Sequence, residues 1–334
     1  LLLALWRQPL PRAALLGFGH GLVFFVPLLH WTGLYVGWFP WLALAVFQAG
    51  YGALLGVGTA AASWLFRRPR AMLLVPFATA ALWVAVETLR STQPWGGFPW
   101  GRLAFSQADS PLLYWATVGG APAVTAAVAL VGGCLALPAL LFEPATTWRM
   151  VKSTMPGVAT VLGLIVGVGF LAGAAQDGTG HGDRVTIAVI QGNVPRAGLE
   201  FNAQRRAVLE NHAAETRALA ERVARGERPR PDLVVWPENS VDIDPYQYDD
   251  AAELISEAAT AIGAPILIGA VVDAPGGRVY NMGIVWDPAT GPGERYIKRH
   301  PVPFAEYVPH RDFFRFFTEK VDLVRQDFAA GNRP

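Results

Sequence analysis

The stretch Val161-Leu162-Gly163-Leu164-Ile165-Val166-Gly167-Val168-Gly169-Phe170-Leu171-Ala172-Gly173-Ala174-Ala175 carries no charge, and it runs into Gln176-Asp177-Gly178-Thr179-Gly180-His181-Gly182-Asp183-Arg184. Val185-Thr186-Ile187-Ala188-Val189-Ile190 follows. An apolar run of membrane-helix length, a Gly-rich polar connector and a β-branched strand meet here, and the composition changes with them. Residues 1–176 hold nine basic side chains and three acids. The totals of 27 and 26 then leave 18 basic and 23 acidic residues for 177–334, so a net +6 faces a net −5. The overall +1 and 16% charge average over two unlike halves, where an ordinary soluble domain carries about 25% charge. No basic stripe points to nucleic acid.

Working back from the junction, about 20 apolar residues are needed to cross a bilayer. Five runs qualify, at 13–30, 41–66, 71–90, 118–142 and 156–175, and Leu1 to Trp6 reads as the end of one more. Basic clusters at Arg7/Arg12, Arg67/Arg68/Arg70 and Arg149/Lys152 fall in every second connection. The positive-inside rule therefore predicts that 31–40, 91–117 and everything after Asp177 lie outside the cytoplasm. Two outer loops are aromatic: Trp31 to Trp41, and Pro94-Trp95-Gly96-Gly97-Phe98-Pro99-Trp100-Gly101-Arg102. Such residues form interfacial belts, but Gly and Pro at membrane depth also line cavities. Trp100 is a candidate for substrate contact, and Arg102 is a candidate for a lipid phosphate, which a guanidinium grips with two parallel bonds. Glu87 and Arg90, three apart on one helix, are expected to pair structurally.

Working forward, short β-branched runs alternate with helical stretches: strand 184–190, helix 201–225, strand 232–236, helix 249–262, strand 265–272, then strands 281–286 and 295–298 around a turn at Asp287-Pro288. This order predicts an α/β layered fold, whose active groups gather at strand ends. Glu238 stands there, after Leu233-Val234-Val235-Trp236-Pro237. Beside Trp236 it is expected to be desolvated and raised in pKa toward a general base. Lys298 ends the last strand, placed to hold developing charge on a carbonyl oxygen. Glu306 follows in a Pro-rich loop, as a group to orient Lys298 or a nucleophile. The exposed or buried state of Phe313-Phe314-Arg315-Phe316-Phe317 is open, between lipid contact and core packing. Cys134, the single cysteine, lies in the apolar run 131–137 and is expected to be inert.

The strings Trp236-Pro237-Glu238 and Lys298-Arg299-His300-Pro301-Val302-Pro303-Phe304-Ala305-Glu306 resemble the nitrilase superfamily. With the membrane half, Gly97-Phe98-Pro99-Trp100 and Gln191-Gly192-Asn193-Val194-Pro195, the whole chain resembles the apolipoprotein N-acyltransferases. The resemblance implies a polytopic helical membrane domain (1–176) and an extracytoplasmic nitrilase-like α-β-β-α sandwich (177–334). It implies a Glu-Lys-Cys triad with Glu238 as base, Lys298 as oxyanion stabiliser and Glu306 as a further required carboxylate. Trp236 and Phe201 are expected at the substrate. The thiolate takes an acyl chain from a phospholipid and passes it to the diacylglyceryl-cysteine of an apolipoprotein, in the cell membrane, without metal or cofactor. The family's cysteine and a final helix are expected beyond Pro334, so the chain reads as truncated and inactive by itself. Two rivals share parts of this pattern. A membrane-tethered amidase acting on a small amide would use the same Glu238 and Lys298. A transporter or receptor with an outer binding domain would need charges within its spans.

Overall fold

The computed structural model describes residues 1–66, 68–141, 148–175, 182–193 and 205–333. The chain forms two compact units, Leu1–Gly180 and His181–Pro334.

The first unit is helical: α1 (Leu2–Leu5), α2 (Leu10–Leu28), α3 (His30–Val36), α4 (Trp38–Leu65), α5 (Pro69–Met72), α6 (Val75–Thr92), α7 (Ala116–Leu141) and α8 (Trp148–Ala174). Four helical stretches are long and apolar enough to cross a membrane: Leu10–Leu28, Trp38–Leu65, Pro111–Leu141 and Lys152–Ala174. Five were expected. The remaining run forms α6, which packs against α7 and α4 and carries Glu87 and Arg90 in its last turns. Those two charges lower its mean hydropathy. The segment expected as an outer loop at 31–40 holds α3 and the start of α4, parted by Gly37 at φ 87°. Pro40 falls in the first turn of α4, where a missing N–H removes no helical bond. Helices α2 and α4 meet backbone to backbone. A Cβ built on Gly17 would lie 2.2 Å from the Gly52 carbonyl oxygen, so small residues set this contact.

The second unit holds one mixed sheet in the order β1 (Ile187–Val189), β2 (Leu233–Val235), β3 (Ile266–Ala274), β4 (Arg278–Asp287), β5 (Gly291–Ile297). Strands β1, β2 and β3 are parallel because α9 (Arg205–Ala224) and α10 (Asp249–Ile262) cross over between them. Strands β3, β4 and β5 are antiparallel, joined by short turns. Gly276 and Gly277 adopt positive φ in one turn. In the other, Asp287 Oδ1 accepts from the Ala289 and Thr290 N–H groups. Helix α10 begins with Asp249 and Asp250, which suit its positive end, and stops at left-handed Gly263.

Strand alternation decides the core. Val234, Trp236, Ile266, Ile268, Ala270, Met282, Ile284 and Trp286 face the helices and pack with Leu209, Ala213, Ile255 and Ala259. On the opposite face Ile187 and Val189 are exposed, Val189 at 77%. The four long apolar helices and the helix-flanked mixed sheet thus describe a membrane protein with an α/β domain. The phenylalanines of 313–317 are not core: Phe313, Phe316 and Phe317 are exposed, and Phe313 and Phe316 each pack edge-on against Phe317.

Candidate active site

Strand β2 loses its ladder where Pro237 offers no N–H. Trp236 N still donates to Leu267 O at 2.9 Å, and pairing resumes only when Val241 N donates to Gly269 O at 3.0 Å. Residues 237–240 therefore rise over Gly269. A Cβ there would lie 2.5 Å from Pro237 O and 2.7 Å from Glu238 Cα, so only glycine lets Glu238 sit where it does. Lys298 follows β5 and is locked by its own backbone: its N–H donates to Asn281 O at 2.9 Å, and its carbonyl accepts from Gly331 N at 2.9 Å. Glu306 closes the Pro-rich loop on itself, accepting from Val302 N at 2.6 Å.

These three side chains converge. Lys298 Nζ donates to Glu238 Oε1 at 2.8 Å and lies 3.1 Å from a Glu306 carboxylate oxygen. Asn281 donates from Nδ2 to Glu238 Oε1 and, at 2.8 Å, to Glu306 Oε1. Glu306 is 11% exposed and Glu238 57% exposed. The ammonium is thus anchored from the buried side by Glu306 and offered to the open side beside Glu238. Both donors bind Glu238 through Oε1; Oε2 receives no hydrogen bond among the described residues and can accept a proton.

The electrostatics differ from expectation. Burial pushes the Glu238 carboxyl up, but the hydrogen bonds from Lys298 and Asn281 and the lysine charge outweigh it, and the net shift is down. The raised base expected from Trp236 does not occur because Trp236 points the other way. It is 2% exposed in the core, and its Nε1 donates to Thr216 Oγ1 at 2.9 Å. Its expected contact with substrate is therefore corrected to a packing role. Burial lowers the Lys298 ammonium, but bonds to Glu238 and Glu306 more than reverse it, so it is held charged. Four residues after Glu238, Asp242 is 5% exposed, and neither carboxylate oxygen has a partner among the described residues. Burial pushes it up to about 6, against a weaker pull from Arg205.

The remaining expected site residues are placed as follows. Trp100 is exposed in the first unit, its ring centroid 5.4 Å from that of Trp31. Arg102 donates from Nε to Ser91 Oγ at 3.1 Å. Phe201 lies outside the described residues. Glu87 and Arg90 do not pair: each bonds to other groups, described below. Sequence reasoning missed Asn281 and Gly269. Their only signals were a polar residue inside the apolar strand Val279-Tyr280-Asn281-Met282-Gly283-Ile284, and a glycine inside another strand. No group of three or more His, Cys, Asp or Glu side chains placed to hold a metal ion occurs among the described residues.

Comparison with known proteins agrees with both ends of the chain. Residues 1–134 match the model of the apolipoprotein N-acyltransferase N-terminal domain. The chain is 45% identical over 325 residues to the apolipoprotein N-acyltransferase of Mycolicibacterium smegmatis, covering 92% of this chain and 53% of that protein. It is 33% identical over 277 residues to the one from Pseudomonas syringae pv. tomato, covering 81% of this chain and 50% of the relative. A third, from Vibrio parahaemolyticus, is 28% identical over 99% of this chain and 64% of its own length. The chain thus spans between about half and two thirds of the relatives it matches. The chain is thus similar to the apolipoprotein N-acyltransferases along nearly all its length, and its first 134 residues match their N-terminal domain.

Proposed function

We propose that the protein transfers an acyl chain from a phospholipid to the N-terminal diacylglyceryl-cysteine of an apolipoprotein. The observation that carries this reading is the single ammonium, Lys298, held between Glu238 and Glu306 at 2.8 and 3.1 Å. The chemistry needs a thiolate. Cys134 is 2% exposed within α7, so the thiol comes from outside these 334 residues. Glu238, ionised at neutral pH, takes the thiol proton on Oε2. The thiolate attacks the sn-1 ester carbonyl, and its oxygen gathers negative charge beside Lys298. The carbon–oxygen bond then breaks, the lysophospholipid oxygen receives the proton, and a thioester remains. The acceptor's α-amine attacks that thioester, the carbon–sulfur bond breaks, and the thiol is regenerated. Glu306 and Asn281 keep the ammonium and Glu238 in line. Trp100 and Arg102 contact the donor lipid, Arg102 through its phosphate. The exposed sheet face around Ile187 and Val189 supports a second sheet covering it, as in an α-β-β-α sandwich.

The test uses the protein that carries these residues, in membranes with a phospholipid labelled in its sn-1 chain. The expected result is a hydroxylamine-sensitive labelled adduct that disappears in Lys298→Met. No adduct, together with ammonia release from a small amide, would replace this reading by an amidase.

A further inference from the structure

We infer that Glu87 and Arg90 are positioning residues for the phospholipid donor. They act through the backbone that carries Trp100 and Arg102, and the inference rests on the donor reading given above. The loop from Gln93 to Arg102 has little means of holding a shape alone. Gly96, Gly97 and Gly101 sit at φ 94°, 74° and 71°, and each ordered residue costs about 1–2 kcal/mol of backbone entropy. Its order comes from outside. Arg90 is buried at the end of α6, and its Nη1 donates to Phe98 O at 2.8 Å and to Trp100 O at 2.6 Å. Phe98 N returns a bond to Arg90 O at 2.8 Å. One turn earlier, buried Glu87 accepts from Leu103 N at 2.9 Å through Oε1 and from Thr125 Oγ1 at 2.8 Å through Oε2. Tyr51 OH donates to Gln93 O at 2.6 Å.

The fixed points at 93, 98, 100 and 103 bracket the two side chains assigned to the lipid. Their spacing explains why a cation and an anion stand three apart without pairing: each addresses the loop. The loop also touches the helix end directly, since a Cβ on Gly97 would lie 2.1 Å from the Ser91 carbonyl carbon. What is held in place suits a phosphate-bearing amphiphile. Arg102 uses Nε on Ser91, while its Nη groups meet no acceptor among the described residues, leaving N–H donors of the kind that bind phosphate in pairs. The exposed indoles of Trp31 and Trp100 supply apolar surface with polar edges.

The experiment measures lipid retained by the purified chain in detergent micelles, by native mass spectrometry. The probes are phosphatidylglycerol and a diacylglycerol with the same chains. Arg102→Ala should lower phosphatidylglycerol retention about tenfold, one charge-assisted hydrogen bond's worth, and spare diacylglycerol. Arg90→Lys, Glu87→Leu and Gly97→Ala should copy that selective loss. Glu87→Gln should restore wild-type retention, because its amide oxygen still accepts from Leu103 N. If Arg102→Ala acts but the other three do not, the positioning role fails and the donor reading stands. If Arg102→Ala and Trp100→Ala both have no effect, the donor reading itself fails. Equal loss of both probes in Arg90→Lys and Gly97→Ala would mean that these residues only hold the fold. Displacement of phosphatidylglycerol by inorganic phosphate would assign the site to a free anion and overturn the lipid.

Discussion

The two units each contain a cluster of opposite charges, and the clusters are built differently. In the helical unit Glu87 and Arg90 are buried, and most of their bonds go to backbone groups and hydroxyls. In the α/β unit Glu238, Lys298 and Glu306 bond to one another and share Asn281, and Glu238 is more than half exposed. Charges spent on the backbone fix a shape. Charges spent on each other, at an open edge, keep a proton acceptor and a cation ready for a third party. The difference separates a structural use of ionised groups from a chemical one within a single chain.

The sharpest way to break this contrast is to remove one cation from each cluster. Lys298→Met should lower acyl-adduct formation by about 10²–10³-fold, the scale of a lost oxyanion stabiliser, while the thermal midpoint falls less than in the buried cluster, because Glu238 is more than half exposed and Glu306 keeps its bonds from Asn281 and Val302 N. Arg90→Met should instead lower the midpoint, because the buried Phe98 and Trp100 carbonyls lose their donor. Equal stability loss in both variants, read by thermal unfolding, would erase the distinction. Next in size, Trp236→Ala should destabilise the α/β unit by about 3–5 kcal/mol through the cavity left in its core, measured by denaturant unfolding. A small stability change with lost lipid binding would return Trp236 to the substrate.

Asp242 offers a pH test of the same contrast, as a buried carboxylate used by neither cluster. Its carboxyl sits at about 6 in the fold against an ordinary 3.8, so the folded state binds the extra proton. Stability is present below the ordinary value and is lost as pH rises toward 6. Asp242→Asn should therefore stabilise the protein at pH 7.5 by up to about 3 kcal/mol and change nothing at pH 3. Identical midpoints for the two proteins at both pH values would show that Asp242 is paired. The smallest effect is expected from Asn281→Ala. Glu238 loses one of the two donors that lower it, so the acid limb of the activity profile should move upward while the plateau stays nearly level. An unmoved limb would remove Asn281 from the electrostatics of the site.

Much of this arrangement could be read from residues alone. Helix 249–262 was legible to its ends because two acids open it and Gly263 closes it. Strand tips at Glu238 and Lys298 were legible because Pro237 stops one ladder and the next β-branched run is short. Alternation also held the answer for Trp236: it shares parity with buried Val234, not with Leu233 and Val235. The expectation of a desolvating partner overrode that signal. The role of Asn281 was not legible, since a hydrogen bond to residues 43 and 25 positions away leaves no local trace. Nor was the clamp at Glu87 and Arg90, because helical spacing favours a pair and the loop they hold has no periodicity. The charges that serve the loop also lower the hydropathy of α6, which sets this helix apart from the four more apolar ones.

Lys298 donates its backbone N–H to Asn281, so β4 serves as the ruler against which the lysine is placed. Side chains on a strand swap faces with every residue, and a slip of β5 by a single step would carry the ammonium to the far side of the sheet, away from both acids. Insertions in the turn at residues 288–290 that shift this alignment should therefore silence the centre without altering any of its members.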